Sequence, residues 1–280
     1  MGESKSILEM ITEQMESGKT SPPAFSENAL KLQHEATAVD PDTDRIKELI
    51  ENDQTITGEL LKMANSSYYK GLNNVETIHE AILRLGINEV RNLIMCVIHK
   101  SNFRSEDPLI KKYQKHLWEH SVACAIGSQW TANYLSFDQI IHKSFIAGLL
   151  HDMGKLFLIS AIEDIRKNKG DEFNPSDSVV EEIMEDLHPV QGYELFVKWN
   201  LPEDYCIVAR DHHENEFDNG NMLLTVVRLV DRVCLKMGIG SRKDEYAATA
   251  GSLEAELIGM SEIANAELEI KLEDSMLSGD

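Results

Sequence analysis

Thr77-Ile78-His79-Glu80-Ala81-Ile82-Leu83-Arg84-Leu85-Gly86 decides the fold class of this chain. Ile78, Ala81, Ile82 and Leu85 fall at i, i+3, i+4 and i+7, the spacing of one apolar helix face. Thr77 and Glu80 form a capping-box pattern at its start, and Gly86 is a natural stop. Working outward, Val90, Leu93, Ile94, Val97 and Ile98 repeat the period in the next segment. Ser178-x-x-Glu181 reads as a further capping box, shortly after the turn signal Asn174-Pro175. Asn219-Gly220 is a hairpin dipeptide, but no alternating apolar and polar runs flank it. The expectation is an all-α protein.

The 280 residues and 42% hydrophobic content are enough for one large domain or two small ones. Polar Ser101–Pro108 and the glycine-bracketed stretch Lys236–Asp244 read as junctions, and seven of the ten histidines lie between them. The net charge of −21 argues against a non-specific grip on nucleic acid or an anionic membrane, which runs on Lys/Arg clusters and displaced counterions. It also means that any phosphate-handling site must reverse the protein's field locally. Residues 244–280 hold ten acids and one base, so they supply −9 of the total. Leu253, Leu257, Ile258, Ile263, Leu268, Ile270 and Leu272 suggest amphipathic helices there, with a solvated acidic face or a partner-binding surface outside.

No signal peptide is visible, and no run approaches the roughly 18–20 apolar residues that span a bilayer. Met1-Gly2-Glu3-Ser4-Lys5-Ser6 satisfies only the loose acylation pattern, without a polybasic second anchor. Cys96, Cys124, Cys206 and Cys234 are widely spaced in apolar stretches and read as reduced, buried small hydrophobes. Together these features point to the cytoplasm.

The chemistry centres on Gly148-Leu149-Leu150-His151-Asp152-Met153-Gly154-Lys155. An adjacent His-Asp at the end of an apolar helix is costly to bury unless it is paired or holds an ion. Gly154 allows a turn, and Lys155 is then placed beside whatever the pair binds. His120 lies mid-helix with His116 four residues earlier. His188 precedes Pro189, which favours a first helical turn, so His188 is expected near an N-cap. His212-His213 closes a helix, and Asp231 interrupts a Val/Leu run. Each has a plainer reading: His120 as a hydrogen-bonded core histidine, Asp231 as a partner of Arg228 or Arg232, His212-His213 at a helix C-terminus. His34, His79, His99 and His142 read as exposed or capping histidines. The ordered set as a whole favours a shared site.

From Lys111 to Val233 that order resembles the HD superfamily of metal-dependent phosphohydrolases, and most closely the HD-GYP cyclic-dinucleotide phosphodiesterases. Ile50-Glu51-Asn52-Asp53-Gln54-Thr55-Ile56-Thr57-Gly58-Glu59-Leu60-Leu61-Lys62-Met63-Ala64-Asn65-Ser66 and Val75–Gly86 are similar to the HDOD family of bacterial signalling proteins. The resemblance covers about residues 20–235. It implies an N-terminal helical lobe at 20–107 packed on an HD-like lobe at 108–236, which leaves an N-terminal helix or extension at 1–19 and the acidic helical tail at 237–280. It also implies that His120, His151, Asp152, His188, His212, His213 and Asp231 are metal ligands, with Asp152 bridging two metals and Lys155 contacting a substrate phosphate.

Two departures matter. Unlike degenerate HDOD proteins, this chain keeps every position of the ligand set. Unlike HD-GYP enzymes, it has no Gly-Tyr-Pro after His-His-Glu, and Asn215–Leu223 stands there instead, which puts a cyclic-dinucleotide substrate in doubt. His116 occupies a position where some relatives place a carboxylate for a third metal.

Imidazole plus carboxylate suits two divalent ions, iron or manganese foremost, with zinc or nickel as alternatives. Two such ions with these ligands leave a local charge of roughly +2, which would answer the problem set by −21. They would polarise a phosphate and lower the pKa of a water. The expected function is a bacterial HDOD-type signal-transduction protein, with Asp152 and Lys155 serving hydrolysis of a nucleotide-like phosphate ester. The alternative is a non-catalytic output module that binds metal or ligand and acts on a signalling partner through its N-terminal lobe or tail.

Overall fold

The computed structural model describes residues 6–16, 27–38, 40–66, 69, 71, 73–170, 173–240 and 242–277, and among them every regular element is a helix. The start Met1–Lys5, with its acylation pattern, lies outside the described residues. The helices run α1 Ile7–Glu16, α2 Glu27–Thr37, α3 Thr43–Glu51, α4 Gln54–Ala64, α5 Ile78–Leu85, α6 Ile87–Lys100 and α7 Pro108–Tyr134. They continue α8 Ile141–Leu150, α9 Met153–Lys169, α10 Asp177–Lys198, α11 Glu203–Asp211, α12 Met222–Met237, α13 Leu253–Ile258 and α14 Glu262–Leu277.

Local chemistry sets several boundaries. Thr77 Oγ1 accepts the Glu80 N–H at 3.1 Å, while the Glu80 carboxylate accepts from the backbone of Glu76 at 2.8 Å. Gly86, at φ 82°, ends α5 and opens α6 without a connecting loop. Asp107 caps α7 by accepting from Leu109 and Ile110, with Pro108 at the first position. There its missing N–H costs nothing. The Ser178 capping box does not form: Ser176 stands at the N-cap of α10 without a side-chain cap bond, and Ser178 already lies inside the helix.

Helix α6 is the hinge of the packing. Its Val90, Leu93, Ile94, Val97 and Ile98 join the core made with α2–α5, while Met95 and Cys96 face the larger core of α7–α12. It therefore welds an N-terminal helical lobe to the histidine-bearing one. The stretch 141–169 is apolar enough to cross a membrane by length and composition, yet its most apolar window is 83% buried. It is two helices, α8 and α9, broken at His151-Asp152.

The acidic tail is structural. Ala264, Leu268 and Leu272 of α14 are buried with Ala123 and Cys124 of α7 and Val230 of α12. Glu254, expected on a solvated face, is only 2% exposed. Its carboxylate pairs with Arg228 at 3.0 Å and Arg232 at 3.4 Å. Both arginines suggested as partners for Asp231 are thereby engaged by the tail.

Candidate metal centre

The break between α8 and α9 puts His151 and Asp152 at the middle of the larger core, 1% and 2% exposed. The α9 turn can approach α10 this closely because residue 154 is glycine. A Cβ there would lie 2.0 Å from the His188 carbonyl oxygen and 2.8 Å from the Gly192 nitrogen. Gly154 is helical rather than a turn residue, so helix contact is its role.

His188 is not at a helix start. It sits in mid-α10, and Pro189 is an internal proline. The ring of Pro189 removes the N–H that the Glu185 carbonyl would accept. His188 Nδ1 takes that place, donating to Glu185 O at 3.0 Å and to Met184 O at 2.7 Å. The same device recurs across the site. His151 Nδ1 donates to Gly148 O at 2.8 Å, and His212 Nδ1 to Val208 O and Ala209 O, each at 3.0 Å. His120 Nδ1 donates to Ile239 O at 3.2 Å, from the loop that follows α12. With Nδ1 donating in all four, each Nε2 points inward.

Those nitrogens meet around Asp152. Its Oδ2 lies 3.5 Å from Nε2 of both His120 and His151. Its Oδ1 lies 3.3 Å from His188 Nε2 and 3.5 Å from His212 Nε2. Asp231 Oδ1 stands 3.2 Å from His120 Nε2, and its Oδ2 stands 3.9 Å from His213 Nδ1. All seven residues singled out from the sequence therefore converge on one point. His116 lies apart from them, on the wall of the adjoining cleft.

The donor set fits divalent metal. Asp152 Oδ1 is buried and receives no hydrogen bond. Nε2 of His188 and His212 lie 3.1 Å apart, and those of His120 and His151 lie 3.2 Å apart. Without a proton or a cation between them, nitrogens this close repel. Metal–nitrogen bonds of about 2.0–2.1 Å put neighbouring nitrogens roughly 2.9–3.4 Å apart, so these spacings suit a shared cation. Two groups of candidate ligands each lie within 4.8 Å, one on His120, Cys124, His151 and Asp231, the other on Asp152, His188, His212 and His213.

Burial sets the protonation states. It pushes His151 down to about 3 and His213 to about 4, and it holds His188 well below its ordinary value. For Asp152, burial favours the neutral acid, but Lys155 and the surrounding imidazoles outweigh it and hold the carboxyl far below its usual range. Burial also opposes the charge on His120, yet the hydrogen bond to Asp231 and the two carboxylates lift it to about 9. Lys155 Nζ contacts Asp152 at 2.9 Å and Glu185 at 3.2 Å, and these carboxylates keep it cationic despite burial.

A cleft of about 250 Å³ opens beside this cluster. His120, Asp152, Lys155, His213 and Asp231 form its polar floor, and Leu117, Ile159, Met184 and Leu235 are among its apolar walls. Residues 215–223 do not line it. Phe217 instead lies over the Arg228 guanidinium, 3.9 Å from its ring centre.

Three cleft residues escaped the sequence reading. Glu185 lies one turn before His188 on α10, a relation visible only once His188 is known to be mid-helix. Arg242 reaches the mouth from the loop after α12, 3.6 Å from Glu185, and Tyr113 lines the cleft from α7. Nothing in their local sequence marks either. His99 was also misread: it is buried beside Phe103 and Trp118 with both ring nitrogens unpartnered, and burial pushes it down to about 3.

A sequence model of the HDOD domain matches residues 23–215. The chain belongs to the HDOD family. Among curated proteins, this HDOD chain is 28% identical over 195 residues to an uncharacterized protein of Treponema pallidum (strain Nichols), covering 68% of this chain and 37% of that one. It is 33% identical over 70 residues to YuxH of Bacillus subtilis (strain 168), covering 25% of this chain and 17% of YuxH. The match thus spans well under two thirds of either curated relative.

Solved structures share the fold. An HDOD domain protein from Geobacter sulfurreducens superposes with a TM-score of 0.72 at 20% identity, covering 96% of this chain and 94% of that one. A provisionally named metal-dependent phosphohydrolase from Shewanella amazonensis SB2B gives 0.67 at 15%, covering 96% and 97%. A provisionally named signal transduction protein from Marinobacter aquaeolei VT8 gives 0.72 at 18%, covering 97% and 65%.

Proposed function

We propose that this HDOD protein is a signalling protein whose histidine-bearing lobe, residues 108–236, is a metal-dependent phosphohydrolase acting on a compact, nucleotide-like phosphate ester. The observation that carries the proposal is Asp152, whose two oxygens face two separate histidine pairs at 3.3–3.5 Å. His120, His151 and Asp231 would hold one divalent ion, and His188, His212 and His213 the other, with Asp152 shared. Iron and manganese are the leading candidates from the ligand types, followed by zinc and nickel. Bound there, the ions would supply Lewis acidity and would lower the pKa of a water.

The chain's own residues do the rest. The four Nδ1–H···O=C bonds fix the rings before anything binds, so no reorganisation is needed at the moment of reaction. Lys155 sits between Asp152 and Glu185 as a cation that cannot readily lose its proton. It is positioned to offset charge growing on phosphoryl oxygens. Arg242, at the mouth, meets the same Glu185 and would take a second phosphate oxygen as the ester enters. The walls of Leu117, Ile159, Met184 and Leu235 would exclude water and bind an apolar or aromatic leaving group. At about 250 Å³ the cleft is smaller than the roughly 300–1,000 Å³ of drug-sized pockets, which favours a single nucleotide-like unit over a cyclic dinucleotide.

A second reading, a non-catalytic output module, draws on α6. Because that helix belongs to both cores, ligand binding beside α7 and α8 would be transmitted to the N-terminal lobe, where a partner protein would dock. One assay separates the two. Protein purified anaerobically and loaded with iron or manganese should hydrolyse nucleotides or a generic aryl phosphodiester well above an Asp152→Ala control. Equal rates in the two proteins across nucleotides, cyclic dinucleotides and the aryl ester would exclude hydrolysis and leave the output module.

A further inference from the structure

Cys124 and Cys234 are the two cysteines nearest the metal centre's ligands. Both are 0% exposed, as expected of small hydrophobes. Their placement is more particular. Cys124 lies four residues after His120 on α7, and Cys234 lies three after Asp231 on α12, so each thiol shares a helix face with a site residue, one turn away. Cys124 Sγ is 3.6 Å from His120 Nε2. It also lies within 4.8 Å of the donor atoms of His151 and Asp231.

Donor spacing tests whether that sulfur is a ligand or filler. Metal–sulfur bonds of about 2.3 Å and metal–nitrogen bonds of about 2.0–2.1 Å give a tetrahedral N···S edge of roughly 3.6 Å and an N···N edge of roughly 3.3 Å. The corresponding distances here are 3.6 Å for His120–Cys124 and 3.2 Å for His120–His151. Two of the six edges of a four-ligand set of two histidines, one aspartate and one cysteine are thus met, and Asp231 Oδ1 stands 3.2 Å from His120 Nε2 and 3.9 Å from His151 Nε2.

Cys234 completes the arrangement. Its Sγ lies 3.7 Å from that of Cys124, which donates its S–H across the gap. With Cys124 as thiolate the direction reverses, and Cys234 becomes the donor that supports the sulfur.

We infer that Cys124 is a sulfur ligand in the His120–His151–Asp231 half of the metal centre and that Cys234 is its hydrogen-bond donor. The inference rests on the proposal that the centre holds metal. On binding, the metal–sulfur bond replaces the S–H bond, and the proton is released to solvent. The two halves are then chemically unequal. With Asp152 shared, the half with sulfur would favour a thiophilic ion such as zinc over manganese, while the half made by His188, His212 and His213 keeps a nitrogen and oxygen shell.

The test is cobalt(II) titration of the full chain and of the Cys124→Ala, Cys124→Ser and Cys234→Ala variants, with a phosphine reductant and with circular dichroism to verify folding. The wild type should show thiolate-to-cobalt charge transfer in the near ultraviolet together with visible ligand-field bands. Both Cys124 variants should lose the charge transfer and keep ligand-field bands from the other half. Cys234→Ala should keep it, shifted in energy. Zinc affinity relative to manganese should fall at least about tenfold in Cys124→Ser. Ligand-field bands without charge transfer in the wild type, or charge transfer that survives in a folded Cys124→Ser, would overturn the sulfur ligand and leave the metal centre standing. No cobalt uptake by the folded wild type would overturn the metal centre and the ligand together.

Discussion

His188 Nδ1 donates to the carbonyl of Glu185, the one acceptor in α10 that Pro189 leaves without its helical donor. A helix defect and a candidate ligand thus correct each other. Pro189→Ala restores a backbone N–H that competes for the same carbonyl. An internal proline costs a helix up to about 3 kcal/mol, so the variant should melt at a higher temperature. Its looser imidazole should bind metal up to about tenfold more weakly. Thermal denaturation with parallel metal titration measures both; tighter binding in the variant would contradict the positioning role.

Gly154→Ala should be far more damaging than an exposed Gly-to-Ala exchange. The added Cβ would meet the His188 carbonyl oxygen at 2.0 Å, and backbone cannot swing aside as a flexible side chain does. We expect a loss of about 1–3 kcal/mol or more in urea unfolding, with metal affinity falling in step as α9 and α10 separate. Unchanged stability would mean that the two helices are not held this closely.

The acidic tail is expected to be required for the site. Arg228 Nη1 donates to the carbonyls of Asp211, His212 and Glu214 at 3.0, 2.8 and 2.9 Å, holding the turn that presents His212 and His213. Glu254 of α13 neutralises that arginine in the interior. Glu254→Ala leaves a buried guanidinium uncompensated and should cost about 3–5 kcal/mol. Deleting residues 244–280 should abolish metal retention altogether. A truncated chain that folds and retains metal would restore the tail to a purely solvated role.

His99 should make the protein acid-sensitive. Burial holds it near 3, against 6.5 for a free imidazole. Between those values the unfolded chain binds a proton that the folded chain refuses, so stability falls as pH falls. His99→Phe removes this liability. Between about pH 7 and pH 5 the difference in unfolding free energy should move in the variant's favour by about 2 kcal/mol. A difference that stays constant across that range would place the acid sensitivity elsewhere.

The fold class was legible because helical periodicity, caps and stops such as Thr77 and Gly86 are local. The seven residues stood out because their types are expensive to bury singly, and the resemblance to the HD superfamily joined them into one expected ligand set. What was hidden depends on neighbours distant in sequence. Pro189 reads as a helix start until one sees that a histidine can replace the missing donor. Gly154 reads as a turn until α10 is known to lie against it. Glu254 reads as a solvated acid until Arg228 is found beneath it, and Glu185, Arg242 and Tyr113 become cleft residues only when α7, α10 and the loop after α12 are brought together.

The most direct test of the central claim is metal stoichiometry. Equilibrium dialysis against manganese or zinc, read by elemental analysis, should give two ions per wild-type chain. In folded Asp152→Ala it should give one or none, because the shared carboxylate serves both halves. No bound ion in the wild type, or two ions retained by the variant, would contradict the account.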